Sequence, residues 1–528
     1  MKPLSLRVCS NREIKELDEL AEKEYRLDTS ILMENAGQAA AQIILERFPN
    51  AGRVSEILIF AGKGNNAGDA FVVARRLICL SRRVRIFYLE NPERYEGATL
   101  KNFAILQAMK AKVTQIEQIG ELEAFFRSSA GPFTVVDGIL GTGLKGNLEG
   151  LYWDVVEAIN SQNPSEVIAL DIPSGVSGDT GRIHGTSILA DLTVSFAFPK
   201  LGHFLPPGAG RRGVLINAQI SMPREFREQG DKFLLRKASM GALLKERDRY
   251  GHKNSFGHAL LIGGSPGRLG AIAMAAGACH KMGTGLVTVA TWPDSFDPLL
   301  IKLSDETMLT QIKIGSTHPD LHSYTSIVIG PGLGTRKEAE VLLNEIIASY
   351  NGPVILDADA LNIISERKMH SSLSTRMSAT VLTPHPGEMA RLLGVSKEDV
   401  TNDPIAAVRE AVVLTNAIVV LKGAATIIGS NDGVLYLNHY PNDGMATAGS
   451  GDVLAGMIGG LLGQGMDPFK GTLLGVYLHS LAGDLAAQKF GHRSMTAPDI
   501  VNNIGNAFKD IKTSAEFATA VESHIELL

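Results

Sequence analysis

GMATAGSGDVLAGMIGGLL, residues 444–462, decides how the rest of this chain is read. Its Gly449-Ser450-Gly451 run places backbone N–H donors just ahead of an apolar segment, 453–462, with the composition of a buried helix. A helix N-terminus preceded by glycines is a site for a phosphate or for a developing negative charge. Asp452 stands at the mouth of that site. A carboxylate there is comfortable against the helix dipole, and it is also within reach of a hydroxyl aimed at the same donors. Taken alone, Gly-Ser-Gly-Asp is more often an ordinary cap before a core helix. Its meaning depends on what else the chain carries.

Working back from that stretch, the second half repeatedly ends a β-branched or aliphatic run in glycines or polar groups. A strand expected at 258–262 meets a glycine turn at 263–270, and a second strand follows at 285–290. SIVIGPGLGT ends in Gly330, Gly332 and Gly334. VILDADALN ends at Asp357 and Asp359, which read as possible turn residues and are not assigned to a metal. TPHPGEMARLL sets His385 and Glu388 before a helix, and IVVLKGAATIIG sets Lys422 and Gly423 after a strand. Such ends converge on one crevice in a parallel sheet.

The first half has the same rhythm. Two helices, at about 11–24 with Ile14, Leu17, Leu20 and Ala21 on one face and at about 31–48, precede the strand EILIFA, 56–61. That strand runs into a loop read at 62–69, where Asn65 and Asn66 can bind an anion or a cation. Strands at 83–89, 133–137 and 166–170 alternate with helices at 99–111 and 151–161, the pattern of a parallel sheet covered by helices. Asp137 and Asp171 fall at two strand ends, with a glycine loop at 141–146 after the first and Ser174 after the second.

Composition sets the bounds. At 528 residues the chain exceeds the size at which one core stops growing, so two domains are expected. With 45% hydrophobic residues, 55 glycines and a net charge of -5, it reads as a soluble α/β enzyme, and nucleic acid is set aside as a partner. Cys9, Cys79 and Cys279 lie far apart, without a CxxC or a histidine cluster, which points to a reducing cytoplasm and away from zinc; all three are expected to be buried. No apolar run of about 18 residues occurs, and the N-terminus turns charged early, so neither a membrane span nor an export signal is expected. A charged stretch between about 222 and 245 reads as a join.

NNAGDA (65–70), DGILGTGLKG (137–146), DIPSGVSGDTG (171–181) and FAFPKLGHFLPPGAGRRG (196–213) resemble, in this order, the Rossmann-like, three-layer epimerase domain of the bifunctional NAD(P)H-hydrate repair enzymes. HKNSFGH, GGSPGRLGA, GPGLG, DADALN, TPHPGE, KGAAT and GMATAGSGD resemble their ribokinase-like, ADP- or ATP-dependent dehydratase domain. The resemblance implies an epimerase domain at 1–222, a linker at 223–244 and a dehydratase domain at 245–528. It places Asn65, Asn66, Ala67, Gly68, Asp69, Gly141, Thr142, Gly143, Leu144, Lys145, Gly146, Asn147 and Asp171 on the dinucleotide. It gives Asn66, Asp137 and Ser174 to a potassium ion. In the second half it gives Lys422, Gly423, Ala424, Ala425, Thr426, Gly449, Ser450 and Gly451 to the nucleotide, with Ala271, Gly332, Gly334, His385 and Asp452 facing the hydrate.

The activity so implied is epimerisation of the R and S hydrates of NADH or NADPH, then dehydration of the S form by phosphorylation and elimination. Asp452 and Asp171 are the expected catalytic residues. Magnesium is expected with the nucleotide, ADP is favoured over ATP by analogy, and a cytoplasmic homo-oligomer, tetramer or larger, is the expected assembly. Ala67 and Ala70 stand where the family commonly has glycine; if either needs a positive φ, the alanine costs about 1 kcal/mol. Two other readings stay open: a small-molecule kinase, marked by ADP release with simple alcohols, and a non-catalytic dinucleotide sensor, marked by binding without turnover.

Overall fold

The computed structural model describes residues 5–129, 131–144, 146–312, 321–517 and 525–527. The chain divides into two compact units, one of residues 7–230 closed by the strand Ile525–Leu527, the other built mainly from residue 231 onward. Both are α/β, each with a largely parallel sheet covered by helices. The stretch expected as a linker carries regular structure: Glu225–Glu228 is helical, and Lys232–Leu234 pairs in parallel with Leu435–His439 in the second unit's sheet.

In the smaller unit the spatial order of strands is Ile525–Leu527, Val214–Ala218, Leu192–Phe196, Glu166–Leu170, Phe133–Gly138, Glu56–Ala61, Val84–Tyr88 and Val113–Gln115. All neighbours are parallel except the first pair. From Glu56–Ala61 the chain builds outward to one edge, then returns to the other side at Phe133–Gly138. The crevice at that reversal lies between the residues following Ala61 and Gly138, where a doubly wound sheet binds its ligand.

The expected loop at 62–69 is mostly helix, a correction to the sequence reading. The helix Gly64–Cys79 begins at Gly64, the residue with positive φ (+72°), and Asn65 to Asp69 form its first turns. Ala67 and Ala70 are therefore helical and fully buried. The feared backbone strain does not arise.

In the larger unit the strand His258–Ile262 lies between Ser326–Ile329 and Leu286–Thr291, with the chain again reversing direction across the sheet at that point. Val354–Leu356, Thr380–Leu382 and Ile418–Leu421 extend it in parallel. Ala425–Gly429 and Leu435–His439 then form an antiparallel hairpin.

The opening stretch becomes the helix Ser450–Gly463, and its glycines are explained by packing. A Cβ on Gly456 would lie 2.1 Å from the Ala275 carbonyl oxygen, and one on Gly459 would lie 2.3 Å from Val328 Cγ2. The helix thus approaches the helix Leu269–Lys281 and the sheet more closely than alanine permits, which offsets the roughly 1 kcal/mol that each helical glycine costs. Cys9 and Cys279 are buried as expected, but Cys79, at the last turn of its helix, is exposed.

Candidate functional sites

In the larger unit, strand ends and one helix start bring acids around a single lysine. Gly449, with φ +94°, caps the helix Ser450–Gly463, so the first-turn amides of Gly451 and Asp452 have no partner higher in the helix. Lys422 follows the strand Ile418–Leu421, and its Nζ would lie 3.2 Å from a Cβ placed on Gly451. That ammonium donates to Asp357 Oδ1 at 2.8 Å and has Glu388 Oε2 at 3.8 Å. Burial works against its charge, yet Asp357 and Glu388 outweigh this and its pKa is raised.

Asp452 faces the same group. Burial, reinforced by Asp357, lifts its carboxyl from 3.8 to about 7, against the pull of Lys422. A carboxyl poised near neutrality beside free helix-terminal amides suits proton transfer at a site that stabilises phosphate. Beneath this helix end, His479 Nε2 lies 2.9 Å from the Ser450 carbonyl oxygen. A carbonyl can only accept, so Nε2 carries the hydrogen, and burial lowers the imidazole to about 4.

His385 caps the helix Pro386–Leu393: its Nδ1 accepts from the amides of Gly387 (3.0 Å) and Glu388 (3.3 Å), and the Glu388 carboxylate accepts from the His385 amide at 2.8 Å. This fixes Nε2 as the protonated nitrogen of the neutral ring, and burial lowers the imidazole pKa. Asp357 and Asp359, read from sequence as possible turn residues, belong to the cluster. Asp357 is 1% exposed and accepts from Thr383 Oγ1 and Lys422; Asp359 accepts from Gly334 N at 2.8 Å and Arg268 Nη1 at 3.1 Å. Gly332 (φ +60°) and Ala271 meet there too, a Cβ on Gly332 falling 2.5 Å from Arg268 O and 3.4 Å from Ala271 Cβ. Gly423 and Ala424 are exposed in the turn after Lys422, whereas Ala425 and Thr426 already lie in the hairpin, Thr426 Oγ1 donating back to Gly423 O at 3.1 Å.

The smaller unit holds a cavity of about 1130 Å³ over its sheet reversal. Of the residues expected there, Asn65, Asn66, Asp69, Gly141, Thr142, Gly143, Leu144 and Asp171 line it. Ala67 and Gly68 turn into the protein, a Cβ on Gly68 meeting Met33 Cε at 2.4 Å; Gly146 and Asn147 are exposed outside the lining, and Lys145 lies outside the described residues.

Asp171 has φ +63° and pairs with the ammonium of Lys200, which is 1% exposed and also donates to Phe196 O at 3.2 Å. His203 ties both in place, Nε2 at 2.9 Å from Asp171 O and Nδ1 accepting from the Lys200 amide at 3.1 Å. Burial holds this imidazole well below its ordinary pKa, so it is the neutral clamp these bonds require.

Asp137 is fully buried. It accepts from Ser174 N (2.8 Å), Ser174 Oγ (2.6 Å) and Ile139 N (3.1 Å), and burial still raises its carboxyl to about 6. Asn66, flanked by Gly138 and Gly141, has both amide atoms buried without a hydrogen-bond partner among the described residues. Among the described residues Asp137 has no basic partner; a buried carboxylate of this kind, a hydroxyl and an unsatisfied amide oxygen make a donor set that fits a hard cation. Sequence reasoning missed Lys200 and His203 as individuals, and it missed Asp18, which also lines the cavity.

Fold and sites together define a two-unit α/β enzyme: a Rossmann-like unit with a cavity of about 1130 Å³ over its sheet reversal and a ribokinase-like unit with acids and a lysine gathered at a helix N-terminus. Residues 259–506 match the family described as NAD(P)H-hydrate dehydratase, and residues 29–202 the family described as YjeF-related protein N-terminus. The chain is 38% identical to the bifunctional NAD(P)H-hydrate repair enzyme of Moorella thermoacetica, covering 96% of this chain and 98% of that one. It is 36% identical to the Coxiella burnetii enzyme of that name, over 93% and 97%. It is also similar to the ADP/ATP-dependent NAD(P)H-hydrate dehydratase of Bacillus subtilis, solved with ATP and Mg2+, at 28% identity and a TM-score of 0.46, covering 52% of this chain and 97% of that one. The chain belongs to the bifunctional NAD(P)H-hydrate repair enzymes.

Proposed function

We propose that the two activities divide between the halves: residues 1–222 interconvert the R and S hydrates of NADH or NADPH, and residues 245–528 return the S form to the reduced dinucleotide. The observation that supports the second assignment is Asp452, with its raised carboxyl beside the free amides of the helix Ser450–Gly463. A ring hydroxyl is a poor leaving group; phosphorylation makes its departure the loss of phosphate. Asp452 takes the hydroxyl proton as the oxygen attacks, the first-turn amides stabilise charge on the transferring phosphoryl group, and Lys422 balances the surrounding carboxylates. His385, whose Nε2 lies 3.5 Å from Glu388 Oε1, would face the hydrate together with Ala271, Gly332, Gly334 and Asp452. Lys422, Gly423, Ala424, Ala425 and Thr426, with Gly449 to Gly451, take the nucleotide.

Magnesium, bound with the nucleotide, would neutralise its phosphates; no group of three or more His, Cys, Asp or Glu that could hold a metal occurs among the described residues. Potassium is assigned to Asn66, Asp137 and Ser174, where it would supply a fixed positive charge beside the dinucleotide. ADP is the preferred co-substrate, and a cytoplasmic homo-oligomer, tetramer or larger, is the form in which the enzyme acts. No helix among the described residues is long and apolar enough to cross a membrane.

The deciding experiment supplies each purified hydrate epimer with ADP or ATP and Mg2+ and follows the reduced-nicotinamide absorbance. Recovery from S, and from R faster than buffer alone, is expected. Turnover of simple alcohols without recovery of NADH or NADPH would replace this reading with a small-molecule kinase, and binding without turnover would replace it with a sensor.

A further inference from the structure

The smaller unit's cavity contains a carboxylate that none of these roles uses. Asp18 lies in the helix Asn11–Tyr25 among Ile14, Leu17 and Ala21, the positions that face the core. An acid on such a face is costly to bury unless it is paired. Among the described residues no hydrogen bond or ion pair reaches its oxygens, yet it lines the cavity with Asp171 and Lys200. Burial raises its carboxyl to about 6, with Lys200 opposing and Asp171 adding to the rise. Its helix is anchored to the cavity wall: Asn11 Nδ2 donates to Thr142 O at 2.9 Å, and the Asn11 amide donates to Asp179 Oδ1 at 2.7 Å.

We propose that Asp18 and Asp171 are the acid–base pair of the epimerase, Asp18 protonating the departing hydroxyl and Asp171 accepting a proton from the water that adds to the other face of the ring. This rests on the assignment of hydrate epimerisation to this unit. Hydration of the reduced ring leaves the hydroxyl on a carbon bonded to the ring nitrogen. That C–O bond breaks as the Asp18 proton joins the oxygen; water departs, and the nitrogen lone pair forms a C=N bond. A second water then forms a new C–O bond on the opposite face, the C=N pair returns to nitrogen, and Asp171 receives the proton that this water loses. No oxidant or reductant is required. The turnover leaves Asp18 ionised and Asp171 protonated, the arrangement that serves the reverse direction, and proton exchange with water in the cavity restores the first state. Lys200, held by His203, keeps Asp171 aimed at the ring.

The test uses the full-length enzyme with pure R hydrate, nucleotide and Mg2+, after subtraction of uncatalysed epimerisation. Asp18→Asn keeps the shape and cannot donate the proton. It should slow conversion of R by about 10²-fold or more, with dehydration of S in the other unit unchanged, and Asp18→Glu should recover part of the rate. In water enriched in oxygen-18, the wild type should incorporate one solvent oxygen per epimerisation. Conversion of R by Asp18→Asn within threefold of wild type overturns the proposal, as does catalysed epimerisation without solvent oxygen, which identifies ring opening instead. If Asp18→Asn fails to fold, a folded Asp18→Glu decides: recovery supports the role, and no activity overturns it. A wild type that converts R no faster than buffer defeats the epimerase assignment itself, a different failure.

Discussion

Asp452→Asn should move activity and stability in opposite directions. Burial and neighbouring acids raise the carboxyl from 3.8 to about 7, so the folded protein holds this proton more tightly than the unfolded chain does. The sign follows from linkage: at pH below 3.8 the group is neutral in both states and carries no penalty, and stability is lost progressively as pH rises from there through 7. At about 1.4 kcal/mol per tenfold change in proton affinity, the penalty above pH 7 is at most about 4 kcal/mol. An asparagine removes it; the attraction to Lys422 is already contained in the value of about 7, and because about 4 kcal/mol is the ceiling for full ionisation a net gain of about 2 kcal/mol at pH 8 is expected. For a unit of this size that is a rise in melting temperature of about 4 °C. At pH 4 the variant and the wild type should melt nearly together. Loss of the general base should at the same time lower dehydration of the S hydrate by about 10²-fold or more, with nucleotide still bound. In the wild type that rate should rise with pH through about 7, because a base must be ionised to act, and the variant should lack this limb. Melting followed by circular dichroism at the two pH values, with the absorbance assay on the same protein, reads both effects. Near-normal turnover, or an equal stability change at both pH values, would refute the reasoning.

His479→Gln should reduce acid lability: the imidazole is lowered to about 4 against 6.5 in the unfolded chain, so the wild type loses stability as pH falls from 6.5 towards 4, by about 3 kcal/mol at most, and urea midpoints at pH 7.5 and 5 should differ less in the variant. Gly456→Ala should destabilise by about 1–3 kcal/mol in urea unfolding, because its Cβ would meet the Ala275 carbonyl at 2.1 Å; an unchanged midpoint would show that the helices can move apart freely. Asp137→Ala should abolish any rise in melting temperature that potassium, but not choline, gives the wild type, and an equal rise in both proteins would place the ion elsewhere.

The strand ends were legible because a parallel sheet announces itself: aliphatic runs such as 56–61, 258–262 and 418–421 stop at glycine or a charge, and the chemistry collects where they stop. The start of the helix at Gly64 was less legible, since Gly62 to Asp69 has the composition of a loop, and the burial of Ala67 and Ala70 follows only from the tertiary contacts of that helix. The hairpin Ala425–Gly429 and Leu435–His439 went unread although Asp432-Gly433, with Gly433 at φ +78°, is a turn signal between two alternating runs. Lys200 has no local signature. Its pairing with Asp171 closes 29 residues of chain, and nothing in a linear pattern shows which of many lysines will be buried. Asp18 did leave a mark, an acid within the apolar face of an amphipathic helix, but that signal also fits a solvated edge until the cavity beside it is seen. Asp357 was read as a possible turn residue because sequence cannot say that Lys422 will lie 2.8 Å away.

The two sites reach the same electrostatic arrangement on different sheets. In each, a lysine with little exposure is engaged by a carboxylate, Lys200 by Asp171 and Lys422 by Asp357 with Glu388 further off at 3.8 Å, while another carboxylate has no salt bridge among the described residues. Burial raises that second group towards neutrality, Asp18 to about 6 and Asp452 to about 7. Without the lysine, several buried acids would repel one another and take up protons together; with a second lysine, no carboxyl would be poised near neutral pH. Fewer cations than acids, with Arg268 on Asp359 beside Lys422 in the larger unit, therefore separate the roles, giving each site a paired carboxylate that is held in place and an unpaired one able to exchange a proton. Both reactions act on a hydroxyl attached to the same kind of ring, and both need a proton to move at it. The shared arrangement follows from the chemistry of the hydrate, since the two sheets differ in strand order and in the elements that supply each lysine.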